Sequence, residues 1–142
     1  MAGDRPGYEL EAQIGHLLRR AHQRATSLFL ASMQEHQLTP TQWAALVKLH
    51  EQGALSQNHL GRLTAMDPAT IQGVIRRLVT RDLICRAEDL NDRRRAVLRL
   101  TEAGTALVDQ LFATAAGISR ETLSPLSPSE QAVFLKLLQR LA

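Results

Sequence analysis

The hydrophobic positions near the start of the chain recur at intervals of three and four, the period of an amphipathic helix. This stripe predicts one long helix from Tyr8 to about Met33. Its apolar positions are Leu10, Ile14, Leu17, Leu18, Ala21, Ala25, Leu28 and Phe29. Because a helix this long extends beyond a small globule, we expect its projecting part to pack against another chain.

A capping box opens the second predicted helix. Thr39-Pro40-Thr41-Gln42 combines an N-cap, a proline at the first helical position and a glutamine that reaches back to the cap. The helix is predicted to run to about Glu51, and Gly53 ends it because glycine accepts the backbone conformation that follows a helix.

Two more capped helices follow, the third over residues 57–64 after Ser56 and the fourth from Asp67-Pro68 to about Arg81. The inward residues of the third helix are Leu60 and Leu63. The inner face of the fourth helix consists of Ile71, Val74, Ile75 and Leu78. Its outer face is small at the start and basic at the end, with Ala69, Thr70, Gln72, Gly73, Arg76, Arg77 and Thr80. This face suits a helix whose N-terminal half enters a groove.

After Asp82 the pattern changes to an alternation of apolar and polar positions, which is typical of strands. One strand is predicted over 83–88 and another over 96–101, joined by a polar turn at 88–92. The two strands form a β-hairpin with arginines at its tip. Cys85, on the first strand, is expected to be a small buried hydrophobic residue.

Two helices complete the chain. Thr101-Glu102 starts a long helix whose inward positions are Ala106, Leu107, Leu111, Phe112 and Ala115. A second capping box, Ser127-Pro128-Ser129-Glu130, opens the last helix. The apolar residues of this last helix are Val133, Phe134, Leu137, Leu138 and Leu141. Residues 1–142 contain no repeat or linker, so we expect a single domain.

Composition excludes several classes of protein. The 142 residues are 44% hydrophobic, as in an ordinary globular domain, and one cysteine cannot form an intrachain disulfide. No apolar run approaches the roughly 20 residues of a membrane span, and the first residues lack the apolar core of a signal peptide. We therefore expect a cytoplasmic protein.

The net positive charge comes from one segment. The chain carries a formal charge of +3, yet residues 76–99 alone hold eight arginines against four acidic residues. This segment contains no lysine. The planar guanidinium group of arginine suits phosphate oxygens and the edges of guanine bases. A solvated surface remains the alternative until the surrounding elements are considered.

The order of elements indicates what the arginine-rich segment binds. Short helices, a capped helix and a basic hairpin are the parts of a winged helix-turn-helix, so the predicted fold is mainly α with a small β-hairpin wing. We expect residues 39–100 to form the DNA-binding lobe, with dimerisation helices over 8–35 and 101–142. In such a module the second helix of the helix-turn-helix lies in the major groove, and wing arginines follow phosphates or enter the minor groove.

The hairpin and the residues after it carry a family signature. Asp92-Arg93-Arg94-Arg95, followed by Leu98-Arg99-Leu100-Thr101 and Gly104, resembles the Asp-x-Arg…Leu-x-Leu-Thr-x-x-Gly motif of MarR-type transcriptional regulators. Leu17–Arg24 is similar to a branch that controls the catabolism of aromatic acids. The resemblance implies an obligate homodimer with interleaved terminal helices. It also implies that Asp92 braces the wing through an arginine. Two-fold symmetry then predicts a pseudo-palindromic operator with half-sites about 34 Å apart.

Ten residues are predicted to contact DNA: Ser56, Gln57, Thr70, Gln72, Gly73, Arg76, Arg77, Arg93, Arg94 and Arg95. A glutamine can pair with adenine and an arginine with guanine, while Ser56 and Gln57 suit phosphate contacts. Gly73 is unfavourable inside a helix, and either close approach of DNA or close packing on a neighbouring helix would account for it. Arg77 serves either DNA or an internal salt bridge.

The resemblance also implies an effector pocket between the first, second and fifth helices. The predicted residues are His16, Arg20, His22, Gln23, Ser27 and Trp43. A cation, polar groups and an aromatic wall suit an aromatic carboxylate or a coenzyme A thioester. The alternative is a solvated helix face beside an ordinary core tryptophan. Peroxide-sensing relatives carry a cysteine near the start of the first helix, and its absence here disfavours redox sensing.

Other functions find little support in the sequence. His50-Glu51 begins like a zinc-protease motif but lacks the second histidine, and no phosphate loop or serine-nucleophile motif is present. We therefore expect no enzyme activity, no cofactor and no metal site. A protein scaffold with a basic face and a nonspecific, architectural DNA-binding protein remain the alternatives; the latter would depend steeply on salt but little on base sequence.

Overall fold

The computed structural model describes residues 7–142, which form six helices and one hairpin. The helices are α1 (Ile14–Ser32), α2 (Pro40–Gln52), α3 (Gln57–Leu63), α4 (Pro68–Thr80), α5 (Glu102–Leu123) and α6 (Pro128–Leu141). Strands β1 (Ile84–Glu88) and β2 (Ala96–Leu100) lie between α4 and α5, and short 3-10 turns lie at Leu10–Ala12 and Gln34–His36. This order confirms the predicted winged helix-turn-helix. Among residues 7–142, none of the helices has the length and apolar character needed to cross a bilayer.

The predicted caps set the starts of four helices. The Thr39 hydroxyl accepts a hydrogen bond from Gln42 N at 3.3 Å, and Gln42 Oε1 accepts one from Thr39 N at 3.2 Å. Ser127 and Glu130 form the same reciprocal pair at the start of α6. These bonds satisfy backbone groups that a helix end leaves free, which is why local sequence predicts the boundaries well.

The start of the first helix is the main error in the predicted boundaries. Instead of beginning at Tyr8, α1 begins at Ile14, after the 3-10 turn and an extended residue, Gln13, with φ −80° and ψ 134°. The Gln13 side-chain amide donates a hydrogen bond to the Glu9 carbonyl at 2.9 Å, which stabilises the break. Periodicity does not reveal this break because Leu10 and Ile14 keep helical spacing across it.

The core lies where the end of α1 meets α2, α4 and α5. Its fully buried large side chains include Met33, Leu38, Leu46, Leu49, Leu60, Ile71, Ile75, Leu78, Ile84 and Val108. The predicted inner face of α4 is confirmed, since all four of its residues are buried. Three inward predictions are wrong: Leu63 and Phe112 are each 40% exposed, and Ala106 is exposed. Phe112 instead forms T-shaped contacts with Trp43 and His50, with ring centroids 5.9 and 5.2 Å apart.

The hairpin is antiparallel and has a third partner. Its register pairs Ile84 with Leu100 and Glu88 with Ala96. Leu55, in the loop before α3, exchanges two backbone hydrogen bonds with Leu98, at 3.1 and 2.7 Å. The wing is therefore joined directly to the helix-turn-helix.

Strict alternation of buried and exposed residues fails in the hairpin. Leu83 and Ile84 are both buried, as are Val97 and Leu98. The hairpin contacts α4 through β1, and α2 and α5 through β2. Cys85 is exposed, so the expectation of a buried cysteine is wrong. Its side chain lies on the opposite face of β1 from the buried Ile84, and it pairs with Arg99 on β2.

A glycine allows α5 to pack closely against the wing. A Cβ atom at Gly104 would lie 2.0 Å from the Leu83 carbonyl oxygen. The same junction is held by Thr101, whose N–H donates to Leu83 O at 3.0 Å and whose hydroxyl donates to Asp82 O at 2.6 Å. The glycine of the family-like motif is thus required for the start of α5 to lie against Leu83, the residue before β1.

Candidate nucleic-acid interface and effector cavity

The outer face of α4 is open to solvent along its length. Gln72, Arg76 and Arg77 are exposed, as predicted for residues that reach into a groove. Thr70 is exposed but also engaged, because its N–H and hydroxyl both donate to the Asp67 carboxylate, at 2.8 and 2.9 Å. These hydrogen bonds lower the pKa of Asp67, so the carboxylate stays ionised at the positive end of the helix dipole.

Gly73 lies in the middle of α4 without a packing reason for being glycine. A Cβ atom added at Gly73 would have one described neighbour within 4 Å outside the backbone of α4. That neighbour is Arg77 Nη1, at 3.6 Å. Close packing on a neighbouring helix is therefore excluded as its explanation. Approach of DNA remains as the explanation that the sequence suggested.

The arginines of the basic segment are not neutralised by acidic side chains. Across residues 7–142 the ion pairs are Lys48 with Glu51 and His50 with Asp109, and neither involves an arginine. The alternative of an internal salt bridge for Arg77 is thus not realised in the described chain. Unpaired guanidinium groups keep their full attraction for phosphate.

The tip of the wing carries three exposed arginines. Arg93, Arg94 and Arg95 lie between β1 and β2, and all three side chains are exposed. Asp92 shapes this tip through the backbone, because its carboxylate accepts from Arg94 N and its carbonyl from Arg95 N, each at 3.0 Å. No arginine pairs with Asp92 in the described residues, so bracing through an arginine is replaced by bracing through backbone N–H groups.

The two predicted contacts on α3 lie at its first turn. Ser56 is the N-cap of α3, and its hydroxyl oxygen accepts from His59 N at 3.2 Å. Ser56 and Gln57 are both half-buried. The structure therefore places the ten predicted DNA residues on three elements: the start of α3, the outer face of α4 and the wing.

A cavity of about 340 Å³ lies between α1, α5 and α6, next to the first residue of α2. Its apolar lining includes Ala25, Phe29, Pro40, Ile118, Leu123, Phe134, Leu135 and Leu138. Its polar lining consists of His22, Thr26, Ser119 and Thr122. Arg24 keeps α1 beside α5 here, because its guanidinium donates to the carbonyls of Glu121, at 3.0 Å, and Thr122 at the end of α5.

Of the six predicted effector residues, the structure brings only His22 to the lining of this cavity. His16 is half-buried, and Arg20, Gln23 and Ser27 are exposed on α1. Trp43 lines a different groove, beside Val47, Lys48 and Leu63.

Sequence reasoning missed Thr26, Ser119 and Thr122 as polar residues of the cavity. Helical spacing gives a partial signal for them, since Thr26 lies four residues after His22, and Ser119 and Thr122 are three apart on α5. The aromatic groups near the cavity are Phe29 and Phe134, which the sequence placed only among apolar stripes.

A broad apolar surface is left without a partner in the single chain. No residue of α6 is buried, and Val133, Leu137 and Leu141 are 57%, 49% and 70% exposed. The first half of α1 is similar, with Ile14 and Leu17 exposed. Burying such side chains is worth about 1.5–3 kcal/mol each, so this surface is unfavourable in water.

Comparisons with known proteins agree with this geometry. The family model described as "MarR family" matches residues 38–96. The HTH-type transcriptional repressor NicR of Pseudomonas putida is 38% identical over 138 residues, covering 97% of this chain and 87% of NicR. A crystal structure of a probable transcriptional regulator from Pseudomonas aeruginosa is 51% identical with a TM-score of 0.89, covering 94% of this chain and 100% of that one. A structure of BpsR from Bordetella bronchiseptica, whose DNA binding is regulated by 6-hydroxynicotinic acid, is 38% identical with a TM-score of 0.88. The match covers 94% of this chain and 96% of that one.

Proposed function

The chain belongs to the MarR family of HTH-type transcriptional regulators, and from this premise we propose that it is a homodimeric repressor released from its operator by a small aromatic acid. The observation that carries the proposal is that the exposed arginines of α4 and the wing have no acidic partner within residues 7–142. We propose that the protein has no enzymatic activity and acts in the cytoplasm, where its DNA would be.

Three elements form the proposed DNA contact surface. Gln72, Gly73 and Arg76 on α4 would face base edges in the major groove, with Thr70 and Arg77 beside them. Arg93, Arg94 and Arg95 on the wing would follow phosphates or enter the minor groove, and the first turn of α3, with Ser56 and Gln57, would contact phosphate. We assign residues 39–100 to this lobe and the helices over 8–35 and 101–142 to dimerisation.

The exposed apolar residues of α1 and α6 support a dimer. A second copy would cover Ile14 and Leu17 on α1 and Val133, Leu137 and Leu141 on α6, all of which the single chain leaves exposed. We expect the purified protein to sediment as a species of twice the chain mass at micromolar concentration. A monomer at that concentration would contradict the proposal, because two recognition helices are needed for a pseudo-palindromic operator.

The cavity beside α1 supports an aromatic acid as effector. Its volume of about 340 Å³ suits a single ring with a carboxylate, and Phe29 and Phe134 offer apolar walls. His22 and Ser119 would hold the polar groups of the ligand. A coenzyme A thioester is much larger than this space, so we favour the free acid of the two ligand classes that the sequence suggested. 6-Hydroxynicotinic acid, which regulates DNA binding by BpsR, is the first compound to test.

The other predicted effector residues would act from outside the cavity of the single chain. His16, Arg20, Gln23 and Ser27 lie along α1, whose apolar side we propose to be covered by the second copy. Dimerisation would then enclose these polar groups next to the ligand. Trp43 would contribute from α2, through its contact with Phe112 on α5.

The decisive experiment selects DNA from a random duplex pool with the purified protein and measures affinity for the selected site. We expect a pseudo-palindromic sequence, and release of the protein by 6-hydroxynicotinic acid. Arg94→Ala should weaken binding to all duplexes and reduce the salt slope by about one, whereas Gln72→Ala should relax base preference at one position per half-site. A pool that stays random after selection would favour the alternative of a nonspecific, architectural DNA-binding protein.

A further inference from the structure

Arg81 is the one arginine between residues 76 and 99 whose guanidinium has hydrogen-bond partners in the described chain. It follows α4 directly, as the C-cap residue of that helix. Its Nη1 donates to the Gln37 carbonyl at 3.1 Å and its Nη2 to the His36 carbonyl at 2.6 Å. The guanidinium group therefore joins the end of α4 to the corner between α1 and α2, 44 and 45 residues earlier in the chain.

Arg81 supplies the protein donors for two backbone carbonyls of that corner. The 3-10 turn Gln34–His36 ends at Gln37, which is left-handed with φ 51° and ψ 39°. Within residues 7–142, the carbonyls of His36 and Gln37 accept no hydrogen bond other than those from Arg81. The planar fork of arginine can reach both carbonyls at once, while a lysine ammonium group is a single point donor.

The corner is also fixed to the rest of the fold. Met33 and Leu38, on either side of it, are 0% and 1% exposed and belong to the main core. α1 continues from this corner back to the cavity, where it contributes His22, Thr26 and Phe29. Arg81 thus lies between the helix that lines the cavity and the helix that we propose to lie in the major groove.

We infer that Arg81 is a positioning residue, which sets the placement of α4 against the α1–α2 corner and does not itself contact DNA. The inference rests on the proposed function, since it takes operator recognition by α4 as the activity that is positioned. Arg76 and Arg77, beside it in the same cleft with Gln37, Gln42 and Thr80, remain available to DNA. A charge that looks equivalent in the sequence therefore has a different role.

The test compares Arg81→Ala, Arg81→Lys and Arg94→Ala with the unchanged protein on the selected operator and on a scrambled duplex, over a range of salt concentrations. For Arg81→Ala we expect affinity for the operator to fall about tenfold, affinity for the scrambled duplex to change less than twofold, and the salt slope to stay the same. Arg81→Lys should recover part of the loss. Arg94→Ala, in contrast, should weaken both complexes and lower the salt slope by about one.

Three results would overturn the inference. A lower salt slope for Arg81→Ala, with equal loss on both duplexes, would make Arg81 a phosphate contact. A lower melting temperature with an unchanged ratio between operator and scrambled duplex would make its role structural only. Unchanged affinity and melting temperature would mean that its two hydrogen bonds have no consequence. The unsubstituted protein is measured on both duplexes first. If it binds them equally well, the result contradicts the proposed function rather than the role of Arg81.

Discussion

Replacing Gly73 by alanine should change stability and DNA binding in opposite directions. Among the described neighbours outside the backbone of α4, the added methyl group meets only Arg77 Nη1, at 3.6 Å, which is an ordinary contact with the end of a flexible side chain. Alanine is favoured over glycine inside a helix by about 1 kcal/mol, so the free energy of unfolding should rise by about that amount. For a chain of this size the melting temperature should increase by about 3 °C.

On the operator the same methyl group would lie between α4 and the floor of the major groove. If DNA approaches Gly73 closely, the methyl group forces the helix outward and costs at least about 1.4 kcal/mol, which corresponds to a tenfold weaker complex. Thermal unfolding and fluorescence anisotropy on the selected operator measure the two effects separately. A more stable protein that binds the operator as tightly as before would refute close approach of DNA at this position.

Gly117→Ala provides a matched control. Gly117 lies inside α5, and its added Cβ would likewise meet only the guanidinium of a nearby arginine, Arg120 Nη2 at 3.6 Å, among the described neighbours outside its own helix backbone. We expect the same gain in melting temperature without a loss of operator affinity. A lower melting temperature for Gly73→Ala would show that the environment of α4 differs from the one described.

Three further predictions concern stability, pH and the ligand. Gly104→Ala should lower the free energy of unfolding by about 3 kcal/mol, and the melting temperature by about 10 °C, because its Cβ would lie 2.0 Å from the Leu83 carbonyl; a neutral effect would contradict that packing. The folded-state pKa of Asp67 lies below its ordinary value of 3.8, so the carboxylate stabilises the fold above that pH and the contribution is lost as the pH falls through the folded pKa. Melting curves from pH 6 downward should therefore show an advantage over Asp67→Asn that shrinks below about pH 3.8, whereas an advantage independent of pH would be inconsistent with this role. His22→Ala should raise at least tenfold the concentration of 6-hydroxynicotinic acid that releases half of the protein from the operator. Each protein is compared with its own operator affinity without ligand. An unchanged dose response would show that His22 does not bind the ligand.

The features predicted correctly from the sequence depend on interactions between near neighbours. Thr39, Asp67 and Ser127 each cap a helix by a bond to a residue three positions later, so the signal is complete within four residues. The inner face of α4 is equally local, since its period alone identifies Ile71 and Leu78 as buried.

The features that were missed depend on distant parts of the chain. Arg81 is bonded to carbonyls more than forty residues away, and nothing in its own neighbourhood separates it from Arg76 or Arg77. Cys85 has the alternation of a half-buried strand, but which face of the strand is buried depends on the helices packed against the hairpin, and the buried face carries Ile84 instead. Sequence patterns therefore located the basic face, while the partners of each arginine required the fold.

The exchange of hydrogen bonds between Leu55 and Leu98 has a consequence for the geometry of the target site. Because the strand of the wing is bonded to the loop that leads into α3, the hairpin and the helix-turn-helix move as one body within each protomer. The number of base pairs between the groove that we propose α4 to read and the groove that we propose the wing to reach is then fixed in each half-site. Insertion of a base pair there should abolish recognition, and any tolerance of altered spacing has to arise between the two half-sites of the dimer.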